Sequence, residues 1–162
     1  MRLLCIDPGT TESGVVIFDG KEISFRSSGI ANEEILTLFP ASRTFDHVAI
    51  EMIASYGMAV GQSTFETCVW IGRFIQALTT DYSIIYRKDV KMWLCGSNRA
   101  KDANVRQAII DKFPATGGGK TPQIGTKKAP GPLFGISNHA WPALAVGITY
   151  FEDPTSRRKI NE

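Results

Sequence analysis

MRLLCIDPGTTESG, residues 1–14, is the stretch on which the reading of the fold turns. Arg2-Leu3-Leu4-Cys5-Ile6 is a short apolar run of buried-strand character. It ends on Asp7, and Pro8-Gly9 breaks it. Thr10 to Gly14 lead into a second apolar run, Val15-Val16-Ile17-Phe18. An acid at a strand end beside a glycine turn can hold a cation or a phosphate-bound metal. It can equally cap an ordinary hairpin. The remaining chain has to decide.

Working outward, Asp19-Gly20 is a two-residue hairpin signal, and Lys21–Arg26 reads as a third strand. Three successive antiparallel strands form a meander. Ala31–Phe39 reads as a short helix with Ile35, Leu36 and Phe39 on one face, stopped by Pro40. His47-Val48-Ala49-Ile50 is a compact strand that again ends on an acid, Glu51. A loop around Ser55-Tyr56-Gly57 precedes a helix over about Gln62 to Thr79. Phe65, Val69, Gly72 and Ile75 or Gln76 share one stripe of it. Gly72 inside that helix points to close packing against a neighbour. Tyr82–Tyr86 is a fifth strand, Val90–Leu94 a helical turn stopped by Gly96, and Lys101–Phe113 an amphipathic helix with Val105, Ala108, Ile109 and Phe113 inward. Residues 115–136 hold six Gly and three Pro and read as a mobile insertion before a last helix at about Asn138–Phe151. The order of elements predicts an α/β mixed sheet flanked by helices in one domain, residues 1–162.

With 162 residues, 43% hydrophobic and 21% charged, the chain has the composition of a soluble globular protein with a substantial core. No apolar run reaches membrane-spanning length, and Met1 leads into a strand pattern rather than a signal peptide, so no membrane partner is expected and the cytoplasm is the expected compartment. Cys5, Cys68 and Cys95 lack the paired spacing of a zinc site and read as free thiols. TGGGK at residues 116–120 lacks the GxxxxGK[ST] spacing and the preceding strand of a phosphate loop. Net charge is only +2, but no Asp or Glu stands between Lys112 and Phe151, where Lys120, Lys127 and Lys128 lie. That is the pattern of a local polyanion-binding surface or of a solvated loop.

Two strands each ending in a carboxylate are the informative pair. If the first and fourth strands are parallel neighbours, Asp7 and Glu51 emerge side by side at one sheet edge. They would repel there unless a divalent cation sat between them. Metal-assisted phosphodiester hydrolysis uses such a site.

CIDPGTTESG, AIE at Ala49–Glu51, RKDVKMWLCGSNRAKDANVRQAI and NHAWPALAVGITY, in that order, resemble the RuvC-type Holliday junction resolvases, in particular their phage-type branch. The resemblance spans essentially the whole chain, with 115–136 as an insertion. It implies an RNase H-like fold and a homodimeric endonuclease that cuts branched or four-way junction DNA with Mg2+ or Mn2+, in the cytoplasm of a bacterial or phage-infected cell. Carried over by position, it makes Asp7, Glu51 and His139 metal ligands. The fourth ligand position of the pattern is Pro142, which offers no donor atom. Either the site works without that ligand, helped by water, the scissile phosphate or a carboxylate such as Glu12, or the chain is a junction-binding protein with weak or no cleavage. Because proline disfavours helical geometry at Trp141, the last helix is expected to start at Pro142 with His139 just outside it. Lys101 is the cation expected to stabilise developing charge. Tyr56 is the expected stacking residue, and Arg87, Lys88, Lys91, Arg99, Lys101 and Arg106 are expected on phosphates, with Lys120, Lys127 and Lys128 adding to that surface. The helix at 62–79 matches the dimerising region of the family, with core packing inside one subunit as the alternative. A sugar-kinase-like phosphate fold also begins with an Asp-Gly-Thr turn, but such chains are far longer.

Overall fold

A computed structural model describes residues 1–40 and 44–160. Five strands form one sheet: β1 (Leu3–Asp7), β2 (Glu12–Phe18), β3 (Ile23–Ala31), β4 (His47–Met52) and β5 (Tyr82–Tyr86). Their order is β3-β2-β1-β4-β5. β1 runs antiparallel to β2 and parallel to β4, and β5 is parallel to β4. The sheet is therefore the mixed one expected, an N-terminal meander extended by parallel strands. Helices α1 (Asn32–Leu38), α2 (Gln62–Ala77), α3 (Arg87–Cys95), α4 (Asp102–Lys112) and α5 (Ala140–Glu152) complete the fold.

Side chains alternate across a strand, so β1 feeds both faces of the sheet. Leu3 and Cys5 enter the core beneath α3, α4 and α5, while Leu4 and Ile6 join Ile35, Phe39, Ile71 and Phe74 beneath α1 and α2. Helix α5 is buried almost all round, from Ala140 to Tyr150. That is why its sequence, AWPALAVGITYF, shows no polar face. Its approach to β1 depends on Gly147: a Cβ there would stand 2.6 Å from Cys5 Sγ.

Several local expectations change. The turn after β2 spans Asp19–Glu22 rather than two residues, since Phe18 pairs with Ile23; Asp19 Oδ1 accepts from the N–H of Lys21 and of Glu22. β3 runs on through Ser27-Ser28-Gly29 to Ala31 because irregularities in the β2–β3 register absorb the extra residues. The segment 115–136 is built rather than mobile. Gly117 N–H donates to Pro122 O and Gly118 N–H to Ala129 O, Gly125 bridges Pro130, and Leu133 and Ile136 are buried in the core under α5. In α2, Phe65 and Val69 are 61% and 62% exposed, whereas Thr67, Ile71 and Phe74 face inward. A Cβ at Gly72 would meet nothing within 4 Å, so packing inside the subunit does not account for that glycine.

Candidate metal and nucleic-acid site

The register of the two central strands makes the site. Ile6 lies beside Ile50, so the next residues, Asp7 and Glu51, leave the sheet side by side. Both are buried, and each carboxyl acts on the other's protonation. Burial raises the pKa of Asp7, with Glu51 and the Arg87 charge opposing it. Burial also pushes Glu51 well above the ordinary carboxylate range; the charge of Asp7 adds to that and Arg87 offsets part of it. Two buried acids that both resist ionisation are an unstable arrangement without a cation.

The turn after Asp7 is clamped. Asn32, at the start of α1 and fully buried, donates from Nδ2 to Gly9 O, accepts from Ser13 Oγ, and Ser13 Oγ accepts from Gly9 N–H. Ser13 and Asn32 carried no sequence signal for this, since an Asn at a helix start reads as a cap. Gly14, paired with Asp7 across β1 and β2, lets the chain before α5 come close: a Cβ there would lie 2.1 Å from His139 O. His139 Nδ1 stands 3.0 Å from Asp7 Oδ2, so the predicted trio of Asp7, Glu51 and His139 is brought to one place.

Helix α5 begins at Ala140, two residues earlier than Pro142 led us to expect, with His139 at its N-cap. Pro142 is the third helical residue. The first four N–H groups of a helix have no partner within it, so a proline there removes no bond. The lead-in is set by Asn138, at φ +40°, a conformation that Asn tolerates better than most residues.

A cleft of about 680 Å³ opens over the pair, with Asp7, Glu51, His139 and Pro142 in its lining. Three of the predicted phosphate-binding residues, Arg87, Lys91 and Arg106, line it as well. Arg106 rests on the Trp141 ring, 4.8 Å from its centre. Lys101 is not in the lining; it is the exposed residue just before α4, and its backbone N–H donates to Asn104. Lys88 lies outside the lining too, 5.8 Å from the ring centre of the exposed Tyr56. Arg99 is exposed between α3 and α4, and Lys120, Lys127 and Lys128 are exposed on the 115–136 segment. Glu12 takes no part in the lining, whereas Asp102 does. Asp102 escaped the sequence reading because an acid in the first turn of a helix is ordinary.

Among the described residues, no three of His, Cys, Asp and Glu form a ready-made metal cage. The donors present still suit Mg2+ or Mn2+. These hard ions take oxygen ligands, and Mg2+ binds through one or two carboxylates plus waters and substrate phosphates. Asp7 and Glu51 supply such a pair beside an open cleft. No helix among the described residues is long and apolar enough to cross a membrane.

No protein-family model matches the chain, and no curated protein does. Solved structures do. Thermus thermophilus RuvC in complex with a Holliday junction substrate superposes with a TM-score of 0.64 at 19% identity, over 97% of this chain and 98% of that one. A second Thermus thermophilus RuvC structure gives 0.61 at 18% identity, over 98% and 99%. At these identities the likeness is one of architecture, and the chain has the RuvC-like form of the RNase H-like fold.

Proposed function

We propose that this chain is a metal-dependent endonuclease of branched DNA, working as a homodimer on Holliday junctions by phosphodiester hydrolysis, with residues 1–162 acting as a single nuclease domain. One observation carries the proposal: two buried carboxyls on adjacent parallel strands open into a cleft lined by cationic side chains. The RuvC-like architecture supports it, one of the matched proteins being bound to a Holliday junction.

In this reading Asp7 and Glu51 hold the ion, and His139, already against Asp7, is the third protein ligand. When bound, Mg2+ or Mn2+ lowers the pKa of water and stabilises charge on phosphate oxygens. The chain does the rest. Arg106, braced on Trp141, and Lys91 receive the phosphate beside the acids. Water, giving up a proton to solvent, attacks the phosphorus in line. The P–O bond opposite it breaks, the sugar oxygen leaves and takes a proton from solvent, and a lysine neutralises the charge that develops. Lys91 lines the cleft and so joins Lys101 for that role. Tyr56 offers an exposed ring for base stacking at the branch point. Arg87, Lys88, Arg99, Lys120, Lys127 and Lys128 add sequence-independent phosphate contacts. The exposed stripe of Phe65, Val69 and Gly72 on α2 is the dimer surface.

A second reading rests on Pro142, which lines the cleft where a further acid would complete the family's ligand set. In it the chain binds junctions and cleaves them weakly or not at all. The two are separated by incubating a labelled four-way junction, and a linear duplex of the same sequence, with the protein and Mg2+ or Mn2+. The proposal predicts metal-dependent nicks in the junction only. Junction binding without nicking would overturn the enzyme reading, and a rise in nicking with Pro142→Asp would trace the loss to that residue. Equal binding of the linear duplex would overturn the junction reading.

A further inference from the structure

The only guanidinium among the described residues that is ion-paired with the acid pair is that of Arg87. It reaches in two directions. Nη1 stands 3.5 Å from Glu51 Oε2, deep in the site, and Nη2 stands 3.1 Å from Asp102 Oδ1, whose side chain is 78% exposed at the cleft mouth. The position follows from the fold: Arg87 is the first residue of α3, immediately beyond β5, whose Ile85 lies beside Glu51.

A buried carboxylate pair needs positive charge. A divalent ion between Asp7 and Glu51 and the guanidinium on Glu51 would draw on the same negative charge, and they would repel each other. Asp102 gives the guanidinium a second partner, already in contact, that lies outside the pair.

We propose that Arg87 is a built-in counter-ion which exchanges with the catalytic metal, and that Asp102 is the positioning residue that takes up its guanidinium when the metal enters. The inference rests on the metal-site reading above. Without metal, Arg87 holds the acid pair together. With metal, it is turned toward Asp102 at the mouth of the cleft, where a DNA phosphate would meet it. The exchange lowers metal affinity in the free protein, and a phosphate that engages Arg87 removes the competitor, so DNA and metal bind cooperatively.

The test needs no cleavage. Free Mn2+ is titrated by electron paramagnetic resonance with the DNA-free protein: wild type, Arg87→Gln, Asp102→Asn, the double variant and Asp7→Asn. Melting in chelator confirms that each is folded, and Arg87→Gln melts lower than wild type. Arg87→Gln is expected to bind Mn2+ about tenfold tighter, although it removes a residue of the proposed site, and Asp102→Asn about fivefold weaker. The Asp102 effect should vanish in the double variant, because it acts through Arg87. Equal or weaker Mn2+ binding by Arg87→Gln overturns the exchange, as does an undiminished Asp102 effect in the double variant. Asp102→Asn, at an exposed side chain, keeps the test open if Arg87→Gln does not fold: unchanged or tighter binding there also overturns it. If neither wild type nor Arg87→Gln shows Mn2+ uptake that depends on Asp7, the metal reading itself fails and the exchange with it.

Discussion

Helices α5 and α2 cover opposite faces of the same sheet, and each carries an internal glycine, yet the two glycines have opposite surroundings. A Cβ at Gly147 of α5 would collide with Cys5 Sγ at 2.6 Å, whereas a Cβ at Gly72 of α2 would meet nothing within 4 Å. Around Gly147 almost every side chain is buried; around Gly72, Phe65 and Val69 lie largely in the open. The α5 face is finished within one subunit, and it positions His139 against Asp7. The α2 face has apolar surface left over. The same residue type therefore marks internal packing on one side and, in our proposal, subunit contact on the other.

Substitutions at the two faces should break or sharpen that contrast. The largest effect is expected from Gly147→Ala, which forces α5 off β1. Overpacking of this kind costs about 3 kcal/mol, read as a fall in the thermal midpoint, and adding Cys5→Ala should recover part of it. A midpoint unchanged by Gly147→Ala would show that α5 does not pack as described. Next is Val69→Asp, which places a charge on the α2 stripe of both protomers and should weaken self-association about a hundredfold. Sedimentation of the two proteins over a range of concentrations reads this directly, while the monomer's melting midpoint should hardly move.

The acid pair supplies the third. Both carboxyls have raised pKa values, so the folded state binds protons more tightly than the unfolded chain. In chelator, wild-type stability should therefore fall as pH rises from about 4, the ordinary carboxylate value, toward the raised folded values. Glu51→Gln removes Glu51's share of that loss, so its stability should fall less steeply than wild type's over the same pH range, with the two curves converging at acid pH. Equal melting curves across that range would argue that the pair is not strained. The smallest effect is Gly72→Ala. In open space on a helix surface it should stabilise the monomer by about 0.5 to 1 kcal/mol, and at the same time weaken self-association if the bare glycine surface lies against a partner.

The contrast also shows what could be read from the chain alone. The acids were legible because each ends a short apolar strand, and parallel pairing of those strands places them together automatically. Gly72 was legible as a break in helix chemistry, but periodicity cannot say whether the stripe it marks faces the core or a partner. Asp102 was not legible, because its place at the cleft depends on how α4 packs, not on its neighbours in sequence. Pro142 misled for a local reason: the dipeptide rule against helix before proline was set aside at Trp141, where burial of nearly the whole of α5 decides the outcome. The segment 115–136 looked unstructured from its glycines and prolines. Those residues instead allow the tight backbone pairing of Gly117 with Pro122, Gly118 with Ala129 and Gly131 with Ile124.

Cleavage of a labelled four-way junction by the wild-type chain and by Asp7→Asn, each with Mg2+ and with chelator, tests the acid pair most directly. The prediction is nicking by wild type with Mg2+ only, reduced by about 10²- to 10³-fold in Asp7→Asn, with junction binding kept by both. Nicking that survives Asp7→Asn or chelation, or its absence from wild type that binds the junction, would contradict it.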